Sequence, residues 1–385
     1  MQLPLNKFAS QLQVSGIRAI SNRIPEIDDV INLTVGQPDF PVPTRVKNAM
    51  KDAIDHNFTS YSHNAGLLEL RKVIKSYYEN RFNAHFDTNE ILVTNGASEA
   101  LDTALRGIIE PGDEVLIPSP VYAGYVPLIE LLGATPVYID TTQTGLKITP
   151  ELVKSHITSK TKAILLNYPN NPTGITLNKQ EVDDLVNVFE QYSIFIVSDE
   201  IYAENTFNQI HTSFASYDSI KDRCILLGGL SKSHSMTGLR IGFLLGPAYV
   251  MKQLTFVHAY NCICANVPSQ YAAIEALTHS IDSPKEMNKA YIERRDYVYD
   301  RLIDIGFELD EKPQGAFYIF PKISHFGMDD YDFCMKALET YHVAIVPGSA
   351  FTHIGKGYIR ISYAYHLEAL EEGLNRLERM VKDLF

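Results

Sequence analysis

Lys232 stands in Gly228-Gly229-Leu230-Ser231-Lys232-Ser233-His234-Ser235-Met236-Thr237-Gly238-Leu239-Arg240-Ile241-Gly242, a run of small and polar residues that follows an apolar stretch. An amine leaving such a turn faces a cleft rather than an open helix face. Lost solvation and a neighbouring cation there lower a lysine's pKa toward neutrality and make it a nucleophile for a carbonyl. Taken alone, Lys232 reads equally as a solvated loop lysine. Gly229 to Ser233 also approaches the nucleophile elbow of serine hydrolases, but that turn requires Gly where Ser233 stands. Asp199 closes the apolar run Ile194-Phe195-Ile196-Val197-Ser198-Asp199-Glu200, and ligands of open α/β sheets bind at the carboxyl ends of strands. A carboxylate buried there holds a heteroaromatic nitrogen protonated; its plainer use is to cap the next helix. Tyr202, three residues on, brings a hydroxyl to the same place.

Thr94-Asn95-Gly96-Ala97-Ser98-Glu99 is a turn of small residues opening an amphipathic helix. Free backbone N–H groups and the helix dipole make that start an anion site, although glycine-rich helix starts also occur without ligands. No G-x-x-x-x-G-K-[ST] loop competes for a phosphate. Arg240 offers a matching positive charge. Asn167-Tyr168-Pro169-Asn170-Asn171-Pro172-Thr173-Gly174 ends another apolar run with turn-forming residues, and its two prolines flank an asparagine pair. In Gly357-Tyr358-Ile359-Arg360-Ile361-Ser362 an arginine interrupts an apolar strand. A charge buried there is costly unless paired, and an incoming carboxylate is the partner a guanidinium fork fits best.

The elements that position these residues alternate. Strands are expected at Ile91–Thr94, Glu114–Ile117, Pro136–Ile139, Ala163–Asn167, Ile194–Ser198 and Cys224–Leu227, with helical stretches between them. Ala97, Ala100, Leu101, Ala104, Leu105 and Ile108 share one helix face, so the first two strands and this helix form a βαβ unit. The pattern is that of a mostly parallel sheet covered on both faces. After about residue 281 come a long charged helix, Lys285–Ile305, short strands at Phe317–Phe320, Ala344–Val346 and Tyr358–Ser362, and a final helix, an α+β arrangement. The expected division is an N-terminal arm and start of the small domain over 1–40, a large domain over 41–281 and a small C-terminal domain over 282–385. No fixed-period repeat or low-complexity tract interrupts it.

At 385 residues the chain exceeds one comfortable core. With 45% apolar and 21% charged residues it has a globular balance. A net charge of −12 repels nucleic acid and anionic membrane surfaces. No apolar run approaches the roughly 18 residues that span a bilayer, and Met1 to Asn22 lacks the pattern of a secretory signal. A cytoplasmic protein is expected, and the Asn32 and Asn57 glycosylation patterns then carry no information. Cys224, Cys262, Cys264 and Cys334 read as reduced thiols; the one C-x-C pair is no zinc pattern without partners of similar spacing, and no metal is expected.

Assembled, these residues are what pyridoxal 5'-phosphate demands of a protein: an amine, an acid for the ring nitrogen, phosphate donors, a hydrogen bond to the phenolic oxygen and a flat group over the ring. From about Val35 onward the chain resembles the class I and II aminotransferases of the aspartate aminotransferase superfamily, fold type I. The resemblance rests on Gly36-Gln37-Pro38-Asp39-Phe40, Tyr61 with Gly66 to Arg71, Asn170-Asn171-Pro172-Thr173-Gly174, Ser198-Asp199-Glu200-Ile201-Tyr202, Ser231-Lys232 with Arg240, and Tyr358-Ile359-Arg360, in agreeing order and spacing. It implies an α/β fold, a large domain with a mostly parallel seven-stranded sheet plus a smaller α+β domain. It implies Lys232 as the Schiff-base lysine, Asp199 on the pyridine nitrogen, Asn171 and Tyr202 on the phenolic oxygen, and Tyr122 stacked on the ring. Gly96, Ala97, Ser98, Ser231 and Arg240 would hold the phosphate, joined by Tyr61 from the second subunit of a homodimer. Arg360 would bind the substrate α-carboxylate, assisted by Asn171 and the Gly36 backbone. The serine that many members place three residues before the lysine is Gly229 here.

Val14 to Arg18, Ser231 to Phe243, Gly315 to Pro321 and Val346 to Ser349 are most similar to a Gram-positive bacterial branch whose best-known member uses N-acetyl-diaminopimelate, an intermediate of lysine and cell-wall synthesis. The resemblance implies ping-pong transfer between an amino acid and a 2-oxo acid, with freed Lys232 moving a proton from Cα to C4' of the cofactor. Neighbouring branches use aspartate or aromatic amino acids, and carbon-sulfur β-lyases share the cofactor-holding residues. A regulator with an aminotransferase-like sensor would need a DNA-binding domain, for which about 35 residues before Gly36 leave no room. Aspartate-preferring relatives read the side-chain carboxylate with a cation, in some bacterial forms a lysine at the position of Ser98. A neutral Ser98 favours a longer, amide-bearing substrate, unless Arg18 or another arginine supplies the missing charge.

Overall fold

The computed structural model describes residue 3, residues 5–12 and residues 16–385. Val14 and Ser15 of the branch-specific stretch lie outside the described residues. The strands in chain order are β1 (Ile31–Asn32), β2 (Ile91–Thr94), β3 (Glu114–Ser119), β4 (Thr135–Asp140), β5 (Thr161–Asn167), β6 (Phe195–Asp199), β7 (Cys224–Gly229), β8 (Gly242–Leu245), β9 (Tyr318–Ile319), β10 (Val343–Ala344), β11 (Val346–Pro347) and β12 (Ile359–Ser362).

Seven of them form one sheet in the order β2-β8-β7-β6-β5-β3-β4, parallel except for β8, which runs antiparallel to both neighbours. Strand side chains alternate between faces. Leu116, Ile164, Leu166, Ile196, Leu226 and Phe243 enter a core on one face, and Val115, Ile117, Ala163, Leu165, Val197, Ile225 and Leu244 a core on the other. Burial on both faces is why these strands read as continuous apolar runs. The helix Ala97–Ile108 covers one face with Ala100, Leu101, Ala104 and Leu105.

The six large-domain strands expected from sequence are present, Ile91–Thr94 with the same ends and the others with ends shifted by at most two residues. The expected Ala344–Val346 strand is divided: β10 pairs with β1 and β11 with β12. β8 had no counterpart among the expected strands. It follows the lysine turn directly and begins at Gly242, whose close approach to the β2 turn excludes a side chain: a Cβ there would lie 2.5 Å from the Gly96 carbonyl carbon. Leu33 and Ile20 pack with Met287, Tyr291, Phe317, Ile361 and Leu374 from the C-terminal quarter, whereas Val46 and Leu277 pack with the central sheet. Among the described residues no helix is long and apolar enough to cross a membrane.

Candidate active site

A cleft of about 1080 Å³ opens at the carboxyl ends of the central strands, lined among others by Gly36, Ala97, Ser98, Tyr122, Asn171, Asp199, Tyr202, Ser231, Lys232, Arg240 and Arg360. Twelve of the thirteen residues singled out by sequence are therefore close to it: these eleven line it, and Gly96 adjoins Ala97. Tyr61 is absent from the lining and is 77% exposed.

Lys232 follows β7 in the turn Leu230 to Leu239, its amine hydrogen-bonded to the Gly36 carbonyl. Its Nζ lies 5.6 Å from the Tyr202 ring centroid and 5.8 Å from that of Phe317. Burial first, then the positive charges of Arg360 and Arg240, bring its pKa down to about 8 against the opposing pull of Asp199. The amine is thus far closer to its neutral, nucleophilic form near pH 7 than an ordinary lysine.

Asp199 is the last residue of β6 and buried. It accepts from the Tyr125 hydroxyl at 2.5 Å and from the Ile201 N–H at 3.1 Å. Burial raises its pKa although both hydrogen bonds and Lys232 pull the other way. Such a carboxylate gains most from a cation placed against it, and a protonated ring nitrogen in the cleft is one. The Asn170–Gly174 turn holds itself together, Asn170 Oδ1 accepting from Thr173 Oγ1 at 2.9 Å and Asn167 Oδ1 from Asn171 N at 3.0 Å. This leaves the Asn171 side chain free to face the cleft, where its Oδ1 accepts from Arg360 at 2.9 Å.

Arg360, on β12, is 2% exposed. It donates to Asn171 and, at 2.5 Å, to the Thr34 carbonyl, and its guanidinium lies 4.5 Å from the Tyr318 ring centroid and 4.8 Å from that of Phe351. None of these partners carries a negative charge, and Arg360 Nε is buried with no hydrogen-bond partner among the described residues. A cation so placed lacks an anion, which a substrate carboxylate supplies.

At the opposite end, Gly96 caps the helix Ala97–Ile108 at φ +90°, a conformation that favours glycine. A Cβ on it would meet Arg240 Nη2 at 2.5 Å. Arg240, itself at φ +53° and exposed, donates to the Thr237 carbonyl at 2.8 Å. The first N–H groups of that helix have no intrahelical acceptor, so dipole and guanidinium converge where a phosphate would sit. Amine, buried carboxylate, anion cradle and the hydroxyl of Tyr202 together fit pyridoxal 5'-phosphate.

Two cleft residues were missed by sequence reasoning. Tyr125, one helical turn after Tyr122, bonds Asp199. Tyr318 shares a hydrogen bond with the Tyr202 hydroxyl at 2.8 Å and lies against Gly36, where a Cβ would be 2.7 Å from its oxygen. The only signals were the i, i+3 spacing of Tyr122 and Tyr125 and the alternation of Phe317 with Tyr318.

The family described as aminotransferase class I and II matches residues 28–377. A Bacillus subtilis (strain 168) protein named as a probable N-acetyl-LL-diaminopimelate aminotransferase is 48% identical, the alignment covering 99% of this chain and 96% of that one. The aromatic-amino-acid aminotransferase 2 of Thermococcus litoralis is 35% identical, with 99% of each chain covered. The structure of aspartate aminotransferase from Thermus thermophilus with maleate superposes with a TM-score of 0.93 at 31% identity, covering 98% of this chain and all of the other.

Proposed function

The chain belongs to the class I and II aminotransferases, pyridoxal-phosphate enzymes of fold type I, and on that premise we propose that it moves an amino group between N-acetyl-LL-diaminopimelate and 2-oxoglutarate as a cytoplasmic homodimer. The observation that carries the substrate is the 48% identity, over 99% of this chain, to the Bacillus subtilis protein named as a probable N-acetyl-LL-diaminopimelate aminotransferase. Arg360, a buried cation lacking an anion, suits the α-carboxylate that every amino acid substrate brings, and Arg18, which lines the same cleft, suits the second carboxylate that N-acetyl-LL-diaminopimelate and 2-oxoglutarate both carry.

Bound pyridoxal 5'-phosphate supplies an aldehyde for the amino group and a ring that draws electrons from the substrate Cα. Lys232 would hold the cofactor through its amine and is the base placed to take a proton from the substrate Cα. Asp199 keeps the ring nitrogen protonated, with Tyr125 holding the carboxylate in place. Asn171 and Tyr202 donate to the phenolic oxygen, and Tyr122 covers the ring. Gly96, Ala97, Ser98, Ser231 and Arg240 grip the phosphate. Arg360 orients the α-carboxylate, assisted by Asn171 and the Gly36 backbone. The division that goes with this reading is an N-terminal arm and start of the small domain over 1–40, a large cofactor-binding domain over 41–281 and a small C-terminal domain over 282–385.

Tyr61 completes the phosphate site of a second subunit in this reading, which its exposure in the single chain supports. Mixing Tyr61→Phe with Lys232→Ala chains should then yield hybrid dimers with one fully native site; verified hybrids without recovered activity rule out the sharing. The substrate is tested by steady-state comparison of N-acetyl-LL-diaminopimelate, aspartate, phenylalanine and tyrosine with 2-oxoglutarate at one pH. The acetylated substrate should have the highest kcat/KM, and a clear preference for aspartate would overturn the substrate assignment while leaving the cofactor site intact.

A further inference from the structure

Behind the phosphate turn, Glu99, His258 and Cys262 bring one carboxylate oxygen, one ring nitrogen and one sulfur within 4.8 Å of one another. We propose that these three side chains are a binding site for a borderline-soft divalent ion of the zinc type. Glu99 is the third residue of the helix Ala97–Ile108. His258 and Cys262 lie four apart on the helix Ala248–Cys262, so both point to one face, and that helix packs on the first.

The distances are close to those an ion requires. Cys262 Sγ lies 3.5 Å from His258 Nδ1, His258 Nδ1 2.8 Å from Glu99 Oε1, and Cys262 Sγ 2.9 Å from the same oxygen. Tetrahedral zinc, with bonds of about 2.0 to 2.3 Å, separates its donors by roughly 3.3 to 3.5 Å. The sulfur–nitrogen edge already has that length, and the two edges from Glu99 need to open by well under 1 Å. Thiolate and imidazole select against magnesium and calcium, which take oxygen donors.

The surrounding groups hold the donors as an outer shell would. Asn95 Nδ2 donates to Cys262 Sγ at 3.4 Å and Asn95 N to Glu99 Oε2 at 2.5 Å, while Asn95 Oδ1 accepts from Asn266 N at 2.9 Å. Glu99 Oε1 is the oxygen left for an ion. His258 is fully buried, but Cys262 is partly exposed at the end of its helix, so an ion has an entry route and a water can take the fourth position. A nucleophilic thiol is the competing use of such a trio, and the geometry opposes it. Cys262 Sγ lies 3.5 Å from His258 Nδ1 and 3.8 Å from Nε2, and Glu99 sits on Nδ1 beside the sulfur rather than behind the ring, so the three groups surround one point instead of forming a line.

Binding is balanced by one proton. The Cys262 thiol gives its hydrogen to solvent, and His258 presents the Nδ1 lone pair with its ring proton on Nε2. Affinity therefore rises with pH. The ion would also stiffen the Asn95–Ser98 turn, to which Arg240 is tied through the Asn95 carbonyl at 3.4 Å; the site itself stands whether or not that turn holds a phosphate.

The test uses cofactor-loaded enzyme treated with a chelator, then titrated with zinc chloride against a chromogenic competitor, with elemental analysis after gel filtration. One zinc per chain should be retained with release of about one proton. Cys264→Ser should leave binding unchanged. Cys262→Ser and His258→Gln should weaken it by more than the roughly tenfold to hundredfold cost of an outer-shell change. Because either variant can misfold, peptide mapping of the wild-type protein supplies a second readout: zinc should protect Cys262, and not Cys264, from alkylation. Equal zinc affinity in folded variants, no retained zinc while Cys262 is a free thiol, or alkylation of Cys262 at the same rate with and without zinc would each overturn the site.

Discussion

The two ends of the cleft are built differently. At the Asp199 end the functional side chains are buried and positioned within the same chain: Asp199 by Tyr125, Tyr202 by Tyr318, and Arg360 by Asn171 and the Thr34 carbonyl, which fix its guanidinium but leave its charge without an anion. At the Gly96 end Ser98 and Arg240 are exposed, and Arg240 is anchored by the Thr237 and Asn95 carbonyls alone. Tyr122, between the two, is 38% exposed and Tyr61 77%. The buried end is arranged before any ligand arrives, as a group that must stabilise developing charge has to be. The open end pairs an exposed guanidinium, held by neutral carbonyls, with a helix start whose N–H groups suit an anion.

Substitutions at the two ends should separate accordingly. Asp199→Asn keeps the shape and removes the charge, and a preorganised electrostatic group is worth about a hundredfold to a thousandfold in kcat. The variant should keep its fold and bind cofactor while kcat falls by that order in stopped-flow half-reactions; a loss under tenfold would remove Asp199 from the chemistry. Arg240→Gln should act on binding instead. Loss of one charge-assisted contact of about 1.5 to 3 kcal/mol raises the cofactor's Kd roughly tenfold to a hundredfold, and kcat should recover at saturating cofactor. Failure to recover would place Arg240 in the buried machinery and break the contrast between the ends.

Much of this was legible in the chain, and the boundary of legibility is physical. Lys232, Asp199, Asn171 and Gly96 sit where an apolar run meets a turn, and local residue chemistry marks such places. Arg360 stood out because a charge in an apolar strand needs an explanation. Tyr125 and Tyr318 were not legible, since both read as apolar-face residues. Their hydroxyls acquire partners only when β6 and β9 are docked across the cleft, 74 residues from Asp199 and 116 from Tyr202 respectively. β8 escaped for a related reason: buried on both faces and beginning at a glycine, it shows no alternation to separate it from the turn before it. The cysteine pair was read by its own spacing, whereas the partners near Cys262 are one helical turn back and on another helix.

Lys232 is an amine that burial and neighbouring cations prepare for a carbonyl, and covalent trapping shows whether the cofactor is held there. Enzyme incubated with pyridoxal 5'-phosphate and reduced with borohydride should carry one cofactor per chain on the peptide containing Lys232. Because the lysine's pKa is lowered to about 8, its neutral fraction, and with it the rate of cofactor capture by cofactor-free enzyme, should rise with pH below that value and level off above it. An ordinary lysine would still be gaining neutral amine to about pH 10.4. Lys232→Ala should take up no label at all, and stoichiometric labelling of a different lysine in that variant would contradict the account.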